Sequence, residues 1–281
     1  MSTKPPRTLL PQLELLLSTR PAGVAEAIRR VVSDVRPCVV LESTRTMDVP
    51  LRGRLIDRLR RRPRPQPQLP RTASKFGGTP YVESPSELAG RRFIGQVDFA
   101  EATRALVSQG HLLPEGMPTK GLLAVDVVRG FISPRVRWYP DPDESRAAQP
   151  DAIEVVAKYE AAIDFKGGWS LRGLDWFHPV PKGDGELWEY MNDLEVPGVD
   201  VDGRYGHKLF GHPNEILNDA YRFQPAPGRS NSMREHALIW RIDFDHAAGF
   251  SWGTNWIYVV IHKDDLSRGA LQHAVVTVAN A

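Results

Sequence analysis

One phrase recurs in this chain, and its recurrence limits the fold more than any other feature. Ser74-Lys75-Phe76-Gly77-Gly78-Thr79-Pro80 comes back as His207-Lys208-Leu209-Phe210-Gly211-His212-Pro213, keeping the lysine, the second glycine and the proline. Each copy is followed by an apolar segment ending in aspartate and phenylalanine, Phe93–Phe99 and Leu238–Phe244, and then by a second apolar run, Gly121–Val125 and Trp256–Ile261. Three features in the same order twice imply duplication of one unit, at a period too long for a solenoid array. The expected fold class is α+β, two divergent tandem α+β repeats in one globular unit with a helical N-terminal extension. Residues 1–72 form that extension and an Arg/Pro-rich linker; the domain proper spans 73–281, its repeats dividing at about 150.

Within the first repeat, the alternation in Phe93–Phe99 puts Phe93, Val97 and Phe99 on one strand face and Ile94, Gln96 and Asp98 on the other. Ala100–Gln109 has helical spacing, and Gly110 ends it. Strands are predicted over 121–128 and 136–139. Residues 152–165 fit both a helix and a strand; the strand is preferred, as an element entering the second Lys-containing turn. Leu9–Leu17 and Val24–Val32 carry helical stripes, Cys38–Leu41 reads as a short buried strand, and Glu186–Glu195 reads as a helix.

The 281 residues are enough to bury a substantial core, and 41% hydrophobic with 25% charged residues is an ordinary globular composition. A net charge of +2 gives no whole-molecule field to draw nucleic acid or a membrane. The single cysteine, Cys38, excludes an internal disulfide and fits a reducing compartment. The N-terminus lacks a clean apolar signal core and no segment reaches membrane-span length, so a cytoplasmic protein is expected. Arg52, Arg54, Arg58 and Arg60–Arg62, followed by a proline-rich run to Pro70, suggest a nucleic-acid arm. With no aromatic stacking residues among them, a solvated helix face leading into a stiff linker is the preferred reading.

Polar residues of the repeated segments are the main candidates for chemistry. Lys75, Gln96 and Asp98, with Lys208, Arg241 and Asp243, would form a ligand site if the two halves packed about a pseudo-twofold axis. Asp98 and Asp243 would then be paired carboxylates with Lys75 beside them, the catalytic candidates of an enzyme. The alternative is that each set braces its own turn, as expected of residues that return in both copies. His207, His212, Asp243 and His246 show no standard zinc spacing, so no metal is expected. Gly77-Gly78 and Gly167-Gly168 lack a phosphate-loop context, so no cofactor is expected. Trp169, Arg172, Asp175, Trp176 and Phe177, mixing aromatics with charge in one stretch, are candidate anchors for a protein partner.

With these motifs the chain resembles the YwqG-like family of bacterial proteins. The family's Ser-Lys-Phe-Gly-Gly-x-Pro opening is matched by Ser74–Pro80, and its Leu-Ala-Gln-Ile-Asp-Phe-like strand by Ile94–Phe99. His-Lys-x-Gly-Gly-x-Pro is matched by His207–Pro213, Leu-Leu-Gln-Ile-Asp-x-Asp by Leu238–Asp245, and Trp-Gly-Asp by Trp252-Gly253. Phe210, Arg241 and Thr254 depart from the pattern, so any polar site shared by relatives is altered in this half. The resemblance implies a two-half fold and no established activity. Because some such proteins look like immunity proteins encoded beside toxins, the expected function is non-enzymatic binding of a protein, a nearby-encoded toxin being the concrete case. An enzyme or small-ligand binder using the inter-repeat polar set is the alternative.

Overall fold

A computed structural model of the chain describes residues 35–46, 68–128, 132–170, 199–200, 206–212, 235–251 and 255–280, with a few isolated positions besides. The predicted helices over 9–32 and 186–195, the arginine segment 51–64, and Arg172, Asp175, Trp176 and Phe177 lie wholly or largely outside the described residues.

The architecture is mostly β, which corrects the α+β expectation. The first half contributes β1 (Arg36–Arg45), β2 (Lys75–Phe76), β3 (Arg91–Asp98), β4 (Leu122–Val128) and β5 (Ile132–Tyr139). After the two-residue β6 (Glu154–Val155) come β7 (Ala161–Ser170), β8 (Val199–Asp200), β9 (His207–Phe210), β10 (His236–Ile242), β11 (Asn255–His262) and β12 (Val275–Asn280). All twelve join one sheet in the order β12-β11-β10-β9-β1-β7-β2-β3-β4-β5, with β6 and β8 added in parallel to β3 and β7. β12 and β5, the two ends of that order, touch, so the sheet is a nearly closed barrel. Two α-helices are delimited among the described residues, α1 (Phe99–Ser108) and the short α2 (Lys263–Ser267). An α+β fold covers its sheet with helices. Here the sheet curls and buries its inner face against itself, through Val39, Leu41, Phe76, Val97, Val125, Leu209, Trp240, Ile242 and Val259. None of the described helices is long and apolar enough to cross a membrane.

The order is a palindrome about β1 and β7, which pair antiparallel from Arg36↔Ser170 to Arg45↔Ala161. β1 precedes β2 in the chain yet pairs with β9, while β7 precedes β9 yet pairs with β2. The two halves have exchanged their leading strands. β1 is thus a central strand, and this overturns the separate helical extension. Cys38 lies in it, 1% exposed, as a small core residue.

Both halves share an irregularity, as duplication of one unit predicts. β3 shifts register against β4 between Phe93 and Gly95, and β10 shifts against β11 between Leu238 and Trp240. The two shifts occupy the same place in the repeat. A bulge inserts one residue and reverses which face the residues before it occupy. The predicted alternation for Phe93 is therefore corrected: Ile94, Val97 and Phe99 enter the main core, and Phe93 packs outside it with Tyr81, Leu122, Ala124 and Tyr139. Gly95 is small for a stated reason: a Cβ there would sit 2.6 Å from the Phe76 ring. Its counterpart Trp240 fills that space in the second half, with its ring 5.9 Å from Phe76.

β2 is only two residues long, so that edge of β7 runs without a strand neighbour until β8 joins at Trp169, and α1 packs into the gap. At its end Gln109 donates from Nε2 to the Phe165 carbonyl at 2.8 Å and accepts the Gly167 N–H at 2.9 Å. One side-chain amide thus replaces one peptide group of a missing strand. Gln109→Ala removes both bonds and is expected to lower unfolding free energy by about 1–2 kcal/mol, measured by urea denaturation. An unchanged midpoint would show that solvent satisfies this seam.

Candidate functional site

The repeated lysines are adjacent, across each strand pair, to the residues the sequence singled out with them. Lys75 pairs with Gln96 and Lys208 with Arg241. Their chain neighbours Phe76, Val97, Leu209 and Trp240 fill the barrel core, so by strand alternation these four side chains lie on its outer face. All four are nonetheless buried. Lys75 donates to the carbonyls of Leu69 (3.3 Å) and Pro70 (2.9 Å) and pairs with Glu160 at 3.3 Å. Gln96 accepts the Tyr81 N–H and donates to the carbonyls of Arg71 and Ala73. The pair holds down the chain that leads into and out of the first turn. Burial draws the Lys75 ammonium below its usual range, with Glu160 opposing. In the second half, Lys208 donates to Ser170 Oγ at 3.2 Å, and Arg241 donates to the Gly206 carbonyl at 3.0 Å.

These two sets do not converge. Lys75 lies level with Ala162, hence with Thr44 on β1, whereas Lys208 lies level with Val40. Three strand spacings and four residues of rise put them roughly 19 Å apart along the sheet. Asp98 and Asp243 serve local turns. Asp98 caps α1 by accepting the Ala100 N–H at 2.8 Å, and burial raises its pKa against that bond. Asp243 accepts the Phe244 N–H at 2.7 Å. A further equivalence supports bracing: the Asp98 N–H donates to Ser74 Oγ, and the Asp243 N–H donates to His207 Nδ1. Trp169, proposed as an anchor, is 8% exposed and built into β7.

Where the halves differ is more informative. After β3 the first half forms α1; after β10 the second forms a compact turn, Asp243–Phe250, closed by paired backbone bonds between Asp245 and Phe250. His207 supports this turn from below. Its Nδ1 accepts the Asp243 N–H at 3.1 Å, which leaves the proton on Nε2 to be donated to Asp245 Oδ2 at 3.0 Å. The ring lies against Phe76 and Phe250 at 4.5 and 6.2 Å between centroids. With both nitrogens engaged, His207 fixes geometry and has no lone pair for base chemistry. Burial pushes the Asp245 carboxyl up, but bonds from His207, Ser43 and the Ala248 N–H outweigh it and hold the pKa low.

The braced turn presents Phe244, 48% exposed, and the exposed His246, their rings 5.1 Å apart. Arg45, at the end of β1, donates from Nε to the Ala247 carbonyl at 3.2 Å and stacks on the Tyr159 ring at 3.4 Å. The Tyr159 N–H donates to the Ala248 carbonyl, and the exposed Lys158 lies 5.3 Å from its ring. Lys158 and Arg45 draw the Tyr159 hydroxyl below its ordinary pKa, Lys158 foremost. Arg45, Lys158, Tyr159, Phe244 and His246 therefore form one basic, aromatic patch on a fixed base. Sequence reasoning missed it because three separate segments supply it. Its only sequence signal was Phe244, an apolar residue between Asp243 and Asp245 where a strand gives way to a turn.

A second cluster, also missed, is the fully buried Asp126, which receives Arg91, Arg135 (3.0 Å) and Arg137 (2.8 Å). Val260 holds the equivalent ladder position in the second half. Its sequence signal was a lone aspartate inside an apolar strand. Among the described residues no group of three or more His, Cys, Asp or Glu side chains could hold a metal ion.

Asp245→Asn tests the support of the turn. The folded Asp245 pKa is depressed, so its contribution is present at neutral pH and lost as pH falls through and below the ordinary carboxylate range. The melting-temperature gap between wild type and Asp245→Asn is expected to be largest near pH 7 and to shrink steadily as pH falls through and below the ordinary carboxylate range; a pH-independent gap would contradict this.

No curated protein matches the chain. Residues 74–279 match the family described as Domain of unknown function (DUF1963). The match spans both copies of the repeated motif and most of the chain, and the protein belongs to that family.

Proposed function

We propose that this protein acts by binding another protein, most concretely as a cytoplasmic immunity protein that occludes the active surface of a toxin encoded nearby. The patch of Arg45, Lys158, Tyr159, Phe244 and His246 carries this reading. Arginine and tyrosine are residue types that dominate binding energy at protein interfaces, and exposed aromatics there act as anchors. A rigid base matters as much, because ordering side chains on binding costs roughly 0.5–1.5 kcal/mol each. Arg45 is already held by a ring and a carbonyl, and Phe244 by a turn with the buried His207–Asp245 hydrogen bond beneath it. The polar groups that the catalytic reading enlists, Lys75, Asp98 and Asp243, each serve an internal bond.

Co-expression with the product of the adjacent gene tests this reading. The neighbour is expected to arrest growth alone, and to be silenced and co-purified in the presence of this protein. Phe244→Ala is expected to weaken the complex at least tenfold while leaving the melting temperature within about 2 °C of wild type. A harmless neighbour that does not co-purify would refute the immunity reading.

A further inference from the structure

We infer that the group this patch receives is a carboxylate on an acidic protein segment, held by Arg45 beside an apolar residue seated on Phe244. This rests on the protein-binding reading above and adds the chemistry of the partner. The charges set the sign. Arg45 and Lys158 are exposed, whereas among the described residues the acids around them are spent: Asp245 on His207, Glu160 on Lys75, and Asp243 on its own turn. Farther along the central strands, Glu42 pairs with Lys166 at 2.6 Å and Asp164 accepts from Thr44. Tyr159, drawn towards ionisation by Lys158 and Arg45, makes the same point: the local field favours negative charge.

The choice of carboxylate over nucleic acid comes from the aromatic rings. Binding of single strands relies on open ring faces for base stacking. The Arg45 guanidinium covers one face of Tyr159, and Phe244 is set edge-on to His246 at 65°. A planar guanidinium held over a ring, with Nε fixed on a carbonyl, offers instead the fork that matches a carboxylate. Phe244 supplies the apolar contact that distinguishes such a segment from a free anion.

The backbone reinforces the arrangement. Thr46 donates from N and Oγ1 to the Glu160 carbonyl, and the Leu69 N–H donates to Glu160 Oε2 at 3.2 Å. Glu160 therefore pins both the exit of β1 just beyond Arg45 and the returning chain, next to Lys158 and Tyr159.

The test uses the full chain and three probes measured by fluorescence anisotropy at low and physiological salt: a labelled hexapeptide alternating Glu and Leu, its Gln/Leu counterpart, and a dT hexanucleotide. The Glu/Leu peptide is expected to bind at least tenfold tighter than the Gln/Leu peptide. Arg45→Ala is expected to lose that preference, Arg45→Lys to keep part of it, and Phe244→Ala to weaken both peptides alike; circular dichroism confirms that each variant folds. Equal peptide binding by wild type and Arg45→Ala overturns the inference, as does no binding of any peptide. Tighter binding of dT than of the Glu/Leu peptide, lost in Arg45→Ala, also overturns it, in favour of nucleic acid. Co-purification of a partner that survives Arg45→Ala refutes the carboxylate contact while sparing the protein-binding reading.

Discussion

The antiparallel pairing of β1 with β7 holds the rest of the molecule in place. Ten residue pairs, from Arg36↔Ser170 to Arg45↔Ala161, join the two halves at the centre of the sheet. Each of these strands hands its other edge to the opposite half, β1 to β9 and β7 to β2. Neither half can complete its sheet alone, because its leading strand lies in the other. Long-range pairing of this kind must overcome loop-closure entropy before it is rewarded, so the halves are expected to form together.

The repeated motif acquires a physical meaning within that frame. Lysine in each copy sits on the outer face; in the first half it gathers the covering chain through carbonyls and Glu160, and in the second it ties β9 to the end of β7 through Ser170. A buried lysine is costly unless its donors are met, and meeting them fixes the path of the loops. What recurs is scaffold. What does not recur, the Asp243–Phe250 turn and the patch around it, is where the second copy was free to change.

Much of the first half was legible in the sequence. The spacing of Ala102, Leu106 and Gly110 marked α1, apolar runs marked β3 and β4, and matching motifs revealed the duplication. The strand preference for the end of 152–165 agrees with β7 from Ala161. The face of Phe93 was not legible, because a bulge breaks strict alternation without leaving a compositional mark. Nor was the role of β1, since local pattern shows that Cys38–Leu41 is a strand but not which strand it meets. The all-polar candidate set failed to assemble for the same reason: strand pairing decides where Lys75 and Lys208 lie, and exchanged strands set them apart. The patch was hidden by distance along the chain, with Arg45, Tyr159 and Phe244 brought together only by the lateral pairing of β7, β1, β9 and β10.

The most direct measurement compares the chain shortened to begin at residue 73 with one beginning at residue 34, by urea unfolding followed through tryptophan fluorescence. The exchange of leading strands predicts a cooperative transition for the longer chain and none for the shorter, which lacks β1. It further predicts that a synthetic peptide spanning residues 34–46 restores the transition when added to the shorter chain. A cooperative transition from residue 73 alone, at the midpoint of the longer chain, would contradict the account.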